Sequence, residues 1–119
     1  DFNEVKKTVE SFFEETINID MCILEILSDS DLQDLENRTG LDMNKDTIHM
    51  GPLSKEKMLA FFSNDSIKSA VISVMRLKEG FGLLKIGSHE STKYLGDGDT
   101  TFIEYIRDVI IRVLELKEV

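Results

Sequence analysis

The chain has 119 residues, of which 41% are hydrophobic and 31% are charged, with 23 Asp and Glu against 14 Lys and Arg. This length and composition are typical of one globular domain that buries roughly two-thirds of the surface its unfolded chain exposes. The net charge of −9 repels phosphate backbones and anionic membrane surfaces. We therefore expect no nucleic-acid partner and no membrane partner.

A single cysteine, Cys22, excludes an internal disulfide and is typical of a reducing compartment, so we expect a cytoplasmic protein. No apolar run approaches the ~20 residues of a membrane span, and no signal peptide is visible. The chain begins with Asp1 and not with Met, which predicts a fragment of a longer protein. We expect a single domain over 1–119, with a leading helix (1–16), a sheet with short helices (17–99) and a terminal helix (100–118).

The first predicted element is an amphipathic helix that runs to about Glu15. Phe2, Val5, Val9 and Phe12 recur at alternating steps of three and four residues, which is the spacing of an apolar helix face and also of a heptad seam. Two interpretations stay open at this point. The helix either packs on its own sheet or shares its seam with a second subunit.

The next segment, 17–27, alternates in the manner of a strand. One face carries Ile17, Ile19, Met21 and Ile23, and the other carries Cys22, Leu24 and Ile26. Ser30 and Gln33 then have the spacing of a capping box, so we expect a short helix ending at Asn37 or Arg38, with Gly40 terminating it.

The segment 41–50 predicts an acidic loop that leads into a short strand over 47–50. Asp42, Asn44 and Asp46 imitate the opening of a calcium-binding loop. The position that requires Gly holds Thr47, however, and the position that requires Glu holds Leu53, so the pattern does not favour calcium.

Ser54 predicts the N-cap of a helix over 55–62. A hairpin follows over 69–87, with its turn at Glu79-Gly80. In its first strand, Val71, Met75 and Leu77 share one face, and Ile72 and Val74 share the other. In its second strand, Phe81, Leu83 and Lys85 lie opposite Leu84 and Ile86. A turn at Glu79-Gly80 places Arg76 near Leu83 or Leu84.

The last helix opens at a capping box formed by Thr101 and Glu104. Its apolar stripe, from Phe102 to Leu116, is too wide for one contact. We expect one flank to cover the sheet and the other to meet a partner helix. The sequence therefore predicts a homodimer through the terminal helices. The candidate interface residues are Phe2, Val5, Val9, Phe12, Ile106, Ile110 and Val113.

This order of elements predicts an α+β fold with an antiparallel sheet. From Met50 onward the residues MGPLSKEKMLAFF, SAVISVMRL and GFGLLKIGSHESTKYLGDGDTTFIEYI resemble the GAF domains. The most similar branch is the bacterial one catalogued as domain of unknown function 484, in which a G-L-L-x-x-G-S strand recurs, matched here by residues 82–88. The resemblance covers about the last 70 residues, and the first 50 in their order of elements.

The resemblance implies a central sheet with the terminal helices bundled on one face and short helices and loops on the other. It also implies a pocket under those short helices in members that bind small molecules. The N-K-x-x-x-F-x-x-x-D-E pattern of the cyclic-nucleotide subset is absent here. Cys22 lies inside a predicted strand, a poor place for the bilin attachment known in the family. One cysteine also cannot carry out the disulfide exchange of the family's methionine sulfoxide reductase.

The candidate ligand-binding residues are Met50, Phe62, Met75, Arg76 and Lys85. Arg76 and Lys85 lie in otherwise apolar strands, where an unpaired charge is costly. They either extend to an edge of the sheet or pair with Asp20 or Glu25, or else they present a positive charge to an anionic ligand.

His49 and His89 are the only histidines, and we expect both at the surface and no metal site. No cofactor is indicated, and no nucleophile–base pair is recognisable, so we expect no enzymatic activity. The sequence thus predicts a non-catalytic sensory or regulatory domain of a bacterial cytoplasmic signalling protein, which binds a small molecule, dimerises, or does both. A purely structural dimerisation module is the alternative, and an enzyme of unrecognised type is the least favoured.

Overall fold

The computed structural model describes residues 2–44, 47–64, 66–78, 80–90 and 101–117, with the side chains of 116 and 117 not described. The described elements are the helices α1 (Phe2–Ser11), α2 (Asp29–Thr39), α3 (Lys55–Phe62) and α4 (Thr101–Lys117), and the strands β1 (Met21–Leu27), β2 (Ile48–Gly51), β3 (Ser69–Leu77) and β4 (Gly80–Ser88). The sequence also predicts a polar loop over 88–99, of which residues 91–99 lie outside the described residues, as do residues 45 and 46 of the predicted 41–50 loop.

The four strands form one antiparallel sheet in the order β1-β4-β3-β2. Apolar side chains cover both faces of β3 and β4, which explains their nearly continuous burial. Helices α1 and α4 pack on one face, where Val71, Met75 and Leu84 are buried. Helices α2 and α3 pack on the other face, over Ile72, Val74 and Leu83. The α+β fold is confirmed, and the predicted division of the hairpin into two faces is correct.

Helix α1 continues into a wider π-helical turn, Phe12–Thr16, in which the Ile17 N–H donates to the Phe12 carbonyl oxygen at 3.2 Å. The chain then turns through Asn18, whose φ is 61°, before β1 begins at Met21. The prediction that the strand begins at Ile17 is therefore wrong, because the helical turns run to Thr16 and residues 17–20 form the connection to β1.

The N-cap of α2 is Ser28, whose hydroxyl accepts from the Asp31 N–H at 3.1 Å. The predicted capping box at Ser30 and Gln33 is wrong because the N-cap is Ser28, two residues earlier. Gly40 does end the helix, with a φ of 71° that a side chain would oppose. Ser54 caps α3 as predicted, accepting from the Lys57 N–H at 3.3 Å.

The β3–β4 hairpin pairs Leu77 with Gly80 and Arg76 with Phe81. The two linking residues are therefore 78 and 79, so the predicted turn at 79–80 and the predicted pairing of Arg76 with Leu83 or Leu84 are both wrong. Gly80 is required in the strand itself, since its φ is 105° and a Cβ there would lie 2.8 Å from the Leu27 carbonyl oxygen.

No helix among the described residues is long and apolar enough to cross a membrane.

Candidate functional site

Lys85, one of the two predicted anion-binding cations, is buried on the sheet face covered by α2 and α3. Its Nζ lies 2.9 Å from Glu25 Oε1 and donates to the Phe61 carbonyl oxygen at 2.5 Å. Phe61 is in the last turn of α3, where carbonyl groups lack helical donors and the helix dipole is negative. Lys85 therefore caps the C-terminal end of α3. Its ion pair with Glu25 is the carboxylate pairing that the sequence left open as one interpretation of this lysine.

Arg76 points to the same sheet face as Lys85, but its side chain is exposed. Its guanidinium carbon lies 5.1 Å from the centre of the Phe81 ring, in a cation–π arrangement with the residue it pairs with across the hairpin. Arg76 is thus held in a defined position while its donors stay accessible.

A groove of about 630 Å³, here called the Arg76 groove, opens beside this stack. Its lining comes from α2, the segment after α2 and the hairpin: Asp29, Leu32, Gln33, Glu36, Met43, Asn44, Arg76 and Phe81. One Glu36 oxygen accepts from the Met43 N–H at 2.8 Å, which fixes the segment that forms one wall. Because the lining contains carboxylates as well as a guanidinium, the groove has mixed charge.

The remaining predicted ligand residues are divided between the two faces of the sheet. Phe62 is buried in the core beneath α2 and α3. Met75 is buried on the opposite face, under α1 and α4, and half-buried Met50 packs against that same core. The five candidates therefore do not converge on one site. The space between α2, α3 and the sheet, where the resemblance implies a pocket, is occupied by large side chains, among them Met43, Met58, Phe61 and Ile67.

The predicted dimer residues have three different environments. Val5 and Ile110 are buried in the core on the α1–α4 side. Phe2, Val9 and Ile106 are half-buried and pack against that core. Phe12 and Val113 are exposed. Most of the α1 seam is therefore used within the chain itself.

Helix α4 does present two apolar flanks. Ile103, Ile110 and Leu114 face the core. The outer flank consists of Phe102, Tyr105, Val109 and Val113, which are 47%, 64%, 39% and 36% exposed. The first three were not among the predicted interface residues, although the four residues of this flank are spaced three, four and four apart in the sequence.

An apolar groove of about 340 Å³, here called the helix groove, lies next to the outer flank between α1 and α4. Its lining residues are Glu4, Val5, Thr8, Val9, Val109, Ile110 and Val113. Since Val109 and Val113 belong to both features, the outer flank and the helix groove form one continuous apolar surface, which we call the α1–α4 face.

Cys22 is buried where α1 crosses β1. Burial, with smaller contributions from the nearby Glu10 and Glu14 carboxylates, raises the pKa of its thiol to about 12. A thiol in this state is a weak nucleophile.

The two histidines bond to backbone oxygens: His49 Nε2 lies 2.7 Å from the Asp42 oxygen, and His89 Nδ1 lies 3.1 Å from the Ser66 oxygen. His89 is exposed as predicted, and His49 is half-buried. Within the described ranges, no three His, Cys, Asp or Glu side chains come together in a way that could hold a metal ion.

A sequence model of the family described as "Protein of unknown function, DUF484" matches residues 8–117. The chain belongs to this family. The match extends from α1 through α4, so the DUF484 unit includes both helices of the α1–α4 face as well as the sheet. A comparison with curated proteins finds no match.

Membership of DUF484 confirms the named branch of the predicted resemblance. The wider GAF likeness stays an expectation, as do the activities that it implies. The family description assigns no chemistry, so a functional conclusion for this DUF484 chain depends on the surfaces described above.

Proposed function

We propose that this DUF484 domain is a non-catalytic regulatory module of a bacterial cytoplasmic signalling protein and that it self-associates through the α1–α4 face. One observation carries the proposal: four large apolar side chains of α4 are exposed in a row beside an apolar groove. Contiguous exposed apolar surface is unfavourable in water and commonly marks an interaction site.

A second copy of the chain is the occupant that suits this face. The ridge formed by the outer flank lies directly beside the helix groove, so a two-fold rotation can seat each ridge in the other copy's groove. Helix α4 has 17 residues and is thus about 25 Å long. Stable interfaces bury roughly 800 Å² per partner, so both α1 and α4 of each copy would have to contribute.

The charges beside the outer flank favour an antiparallel pair. Asp108 and Arg112 are both exposed and lie one turn apart on the same side of α4. In a two-fold pair of antiparallel helices, the same side of each helix meets its own copy. An axis near Ile110 would therefore place each Asp108, whose Oδ1 lies 3.3 Å from Arg107 Nε of its own chain, close to Arg112 of the partner subunit. These pairs offset part of the repulsion between two chains of net charge −9.

The proposed regulation acts through the same helices. Helices α1 and α4 are the first and last elements of the domain, so pairing fixes the relative position of segments that adjoin them. A change in the paired population would then alter the output of attached domains.

Sedimentation velocity at tens of micromolar tests the proposal. We expect a dimer for the wild type and a monomer for the variant with Val109→Glu and Val113→Glu. Leu59→Glu is the matched control, because Leu59 is also an exposed helical side chain, 43% exposed, on α3. A substitution at Ile110 would be uninformative, since this side chain is buried in the core. A wild-type monomer, or equal effects of the α4 and α3 substitutions, would contradict the proposal.

The Arg76 groove supports a second candidate function, the binding of a small regulatory molecule. The observation in its favour is the accessible guanidinium held over Phe81 in a groove of about 630 Å³. Asp29 and Glu36 line the same groove, so a ligand that carries both a carboxylate and an ammonium group fits better than a simple anion.

A thermal-shift series with free amino acids tests this second function. We expect at least one amino acid to raise the Tm of the wild type by about 5 °C at saturation. Arg76→Ala should abolish this rise, whereas Arg38→Ala, which removes an exposed arginine of α2 that does not line the groove, should preserve it. The absence of any shift across the series, or a shift retained in Arg76→Ala, would exclude ligand binding at this groove.

A further inference from the structure

A small apolar cavity lies on the α1–α4 side of the sheet, at the end where α4 begins, and no function has been assigned to it above. Its volume is about 220 Å³. Its described lining comes from the π-helical turn and the connection after it, from β3 and β4, and from the first turn of α4. We call it the phenylalanine cavity. The Arg76 groove lies on the opposite face of the sheet.

The chain around the π-helical turn builds one wall of this cavity. Phe13 lies in the turn and is buried. The chain then reverses through Asn18, whose φ is 61°, and the Ile19 N–H donates to the Phe13 carbonyl oxygen at 2.9 Å. This bond fixes the connection that carries Ile17 and Ile19, which both line the cavity. Wider helical turns of this kind occur frequently at functional sites.

The sheet and α4 supply the rest of the lining. Val71 and Ile86 pair across β3 and β4, and both are buried. Phe102 lies edge-on to Phe13, with 6.4 Å between the ring centres and 70° between the ring planes. Phe102 and Ile17 are both exposed. The cavity therefore extends from the surface, beside these two side chains, down to the sheet.

The lining favours a ligand that is neutral and aromatic. No polar side chain is among the described residues that line the cavity, so a charged group placed inside would lose water without gaining a side-chain partner. The rings of Phe13 and Phe102 offer faces and edges on which another aromatic ring can pack. The net charge of −9 further disfavours aromatic acids.

The volume sets the size of the ligand. An apolar cavity of about 150 Å³ lined by Leu, Ile and Phe binds benzene, and the phenylalanine cavity is larger, at about 220 Å³. We propose that this cavity binds a neutral aromatic molecule of one or two fused rings, which gains dispersion contacts with the lining. The inference requires neither pairing through the α1–α4 face nor a ligand in the Arg76 groove.

Indole is a direct probe, because the chain contains no Trp and indole fluorescence can therefore be separated from that of the protein. A fixed low concentration of indole is titrated with the full chain. We expect a blue shift as indole leaves water, with a Kd on the order of 0.1–1 mM. Indole-3-acetate, which adds a carboxylate to the same rings, should bind about tenfold more weakly. The absence of a blue shift would overturn the proposal, and equal affinities of the two compounds would overturn the assignment to a neutral ligand.

Variants decide whether indole binds in this cavity. Ile19→Phe adds a ring at a half-buried lining position, and Phe102→Ala removes an aromatic wall. Each should raise the Kd of indole by about tenfold. Tyr105→Ala is the matched control, because Tyr105 is also an exposed aromatic residue of the outer flank but does not line the cavity, and it should leave the Kd within about twofold of the wild-type value.

The comparison of Phe102→Ala with Tyr105→Ala also separates this inference from the proposed pairing. Both residues belong to the outer flank, so an effect of pairing on indole binding would appear in both variants, whereas loss of the cavity wall would appear in Phe102→Ala alone. Both side chains are exposed, so these two variants should fold, as circular dichroism will show. Equal Kd values for Phe102→Ala and Tyr105→Ala would overturn the proposal.

Discussion

The Glu10 carboxylate of α1 accepts a hydrogen bond from the Leu24 backbone N–H of β1 at 2.9 Å. Lys6 donates to the Leu24 carbonyl oxygen at 2.8 Å, and Glu14 accepts from the Cys22 N–H at 3.1 Å. Strand β1 is an edge strand, and exposed backbone groups at an edge invite pairing with other chains. Side chains of α1 and of the π-helical turn after it therefore bond to the backbone groups at this edge of the sheet, where another strand could otherwise pair.

Loss of the Glu10 contact should destabilise the fold. We expect Glu10→Ala to lower the free energy of unfolding by about 1–3 kcal/mol, because the Leu24 N–H loses a charged acceptor, and to increase aggregation. Urea unfolding and light scattering measure the two effects. Glu15→Ala, an exposed glutamate just after α1, serves as the control and should change stability by less than about 0.5 kcal/mol. Equal stabilities of the two variants would show that the edge contact is unimportant.

Lys85 should matter for stability and not for ligand binding. Lys85→Met keeps most of the side-chain volume but leaves the Phe61 carbonyl without its donor, so we expect a loss of about 1–3 kcal/mol in urea unfolding. The rise in Tm that a free amino acid gives with the wild type should be retained in this variant, because Lys85 does not line the Arg76 groove. A stable Lys85→Met protein that loses this rise would reverse the assignment made here.

Ser73 is fully buried on the α1–α4 side of the sheet, and its hydroxyl has no hydrogen-bond partner among the described residues. Because a buried unpaired hydroxyl is unfavourable, Ser73→Ala should leave the free energy of unfolding unchanged or raise it by up to about 1 kcal/mol. Ser69, also fully buried in β3, donates to the Glu90 carbonyl oxygen at 2.6 Å. Ser69→Ala should therefore destabilise by about 1 kcal/mol, and the reverse order of the two variants would contradict this explanation.

Cys22 should make stability fall at high pH. The fold raises the thiol pKa from 9.0 to about 12, so the folded state keeps a proton that the unfolded state releases. The stabilising contribution is complete below pH 9 and is lost as the pH rises towards 12, by up to about 1.4 kcal/mol per pH unit. Urea unfolding between these pH values should show this slope in the wild type and a smaller slope in Cys22→Ala. Identical slopes would mean that the thiol is not buried in solution.

Local patterns were enough to predict the hairpin faces and the start of α3, because period-two burial and serine capping depend on neighbouring residues alone. The predicted turn was placed one residue too late along the chain. Glycine is required at position 80 because a Cβ there would collide with the Leu27 carbonyl oxygen, which belongs to a strand distant in sequence. The two flanks of α4 were predicted from periodicity, but which flank faces the core depends on how the helix docks.

The candidate sites were harder to predict, because each combines residues that are distant in sequence. The pairing of Lys85 with Glu25 was one of two open alternatives, whereas its bond to Phe61 depends on where α3 ends over the sheet. The Arg76 groove combines residues from three segments, and no sequence spacing relates Asp29 to Arg76. The sequence shows each charged residue, but it does not show which of them lie close together in the fold.

Cysteine cross-linking across the α1–α4 face tests the central claim most directly. Val109→Cys and Leu59→Cys each place a new thiol at an exposed helical position, on the proposed interface and away from it, while buried Cys22 reacts slowly in both. With a bis-maleimide spanning roughly two helical turns, about 11 Å, the account predicts a covalent dimer from Val109→Cys at micromolar concentration and almost none from Leu59→Cys. Equal yields from the two variants, or no covalent dimer from Val109→Cys, would contradict it.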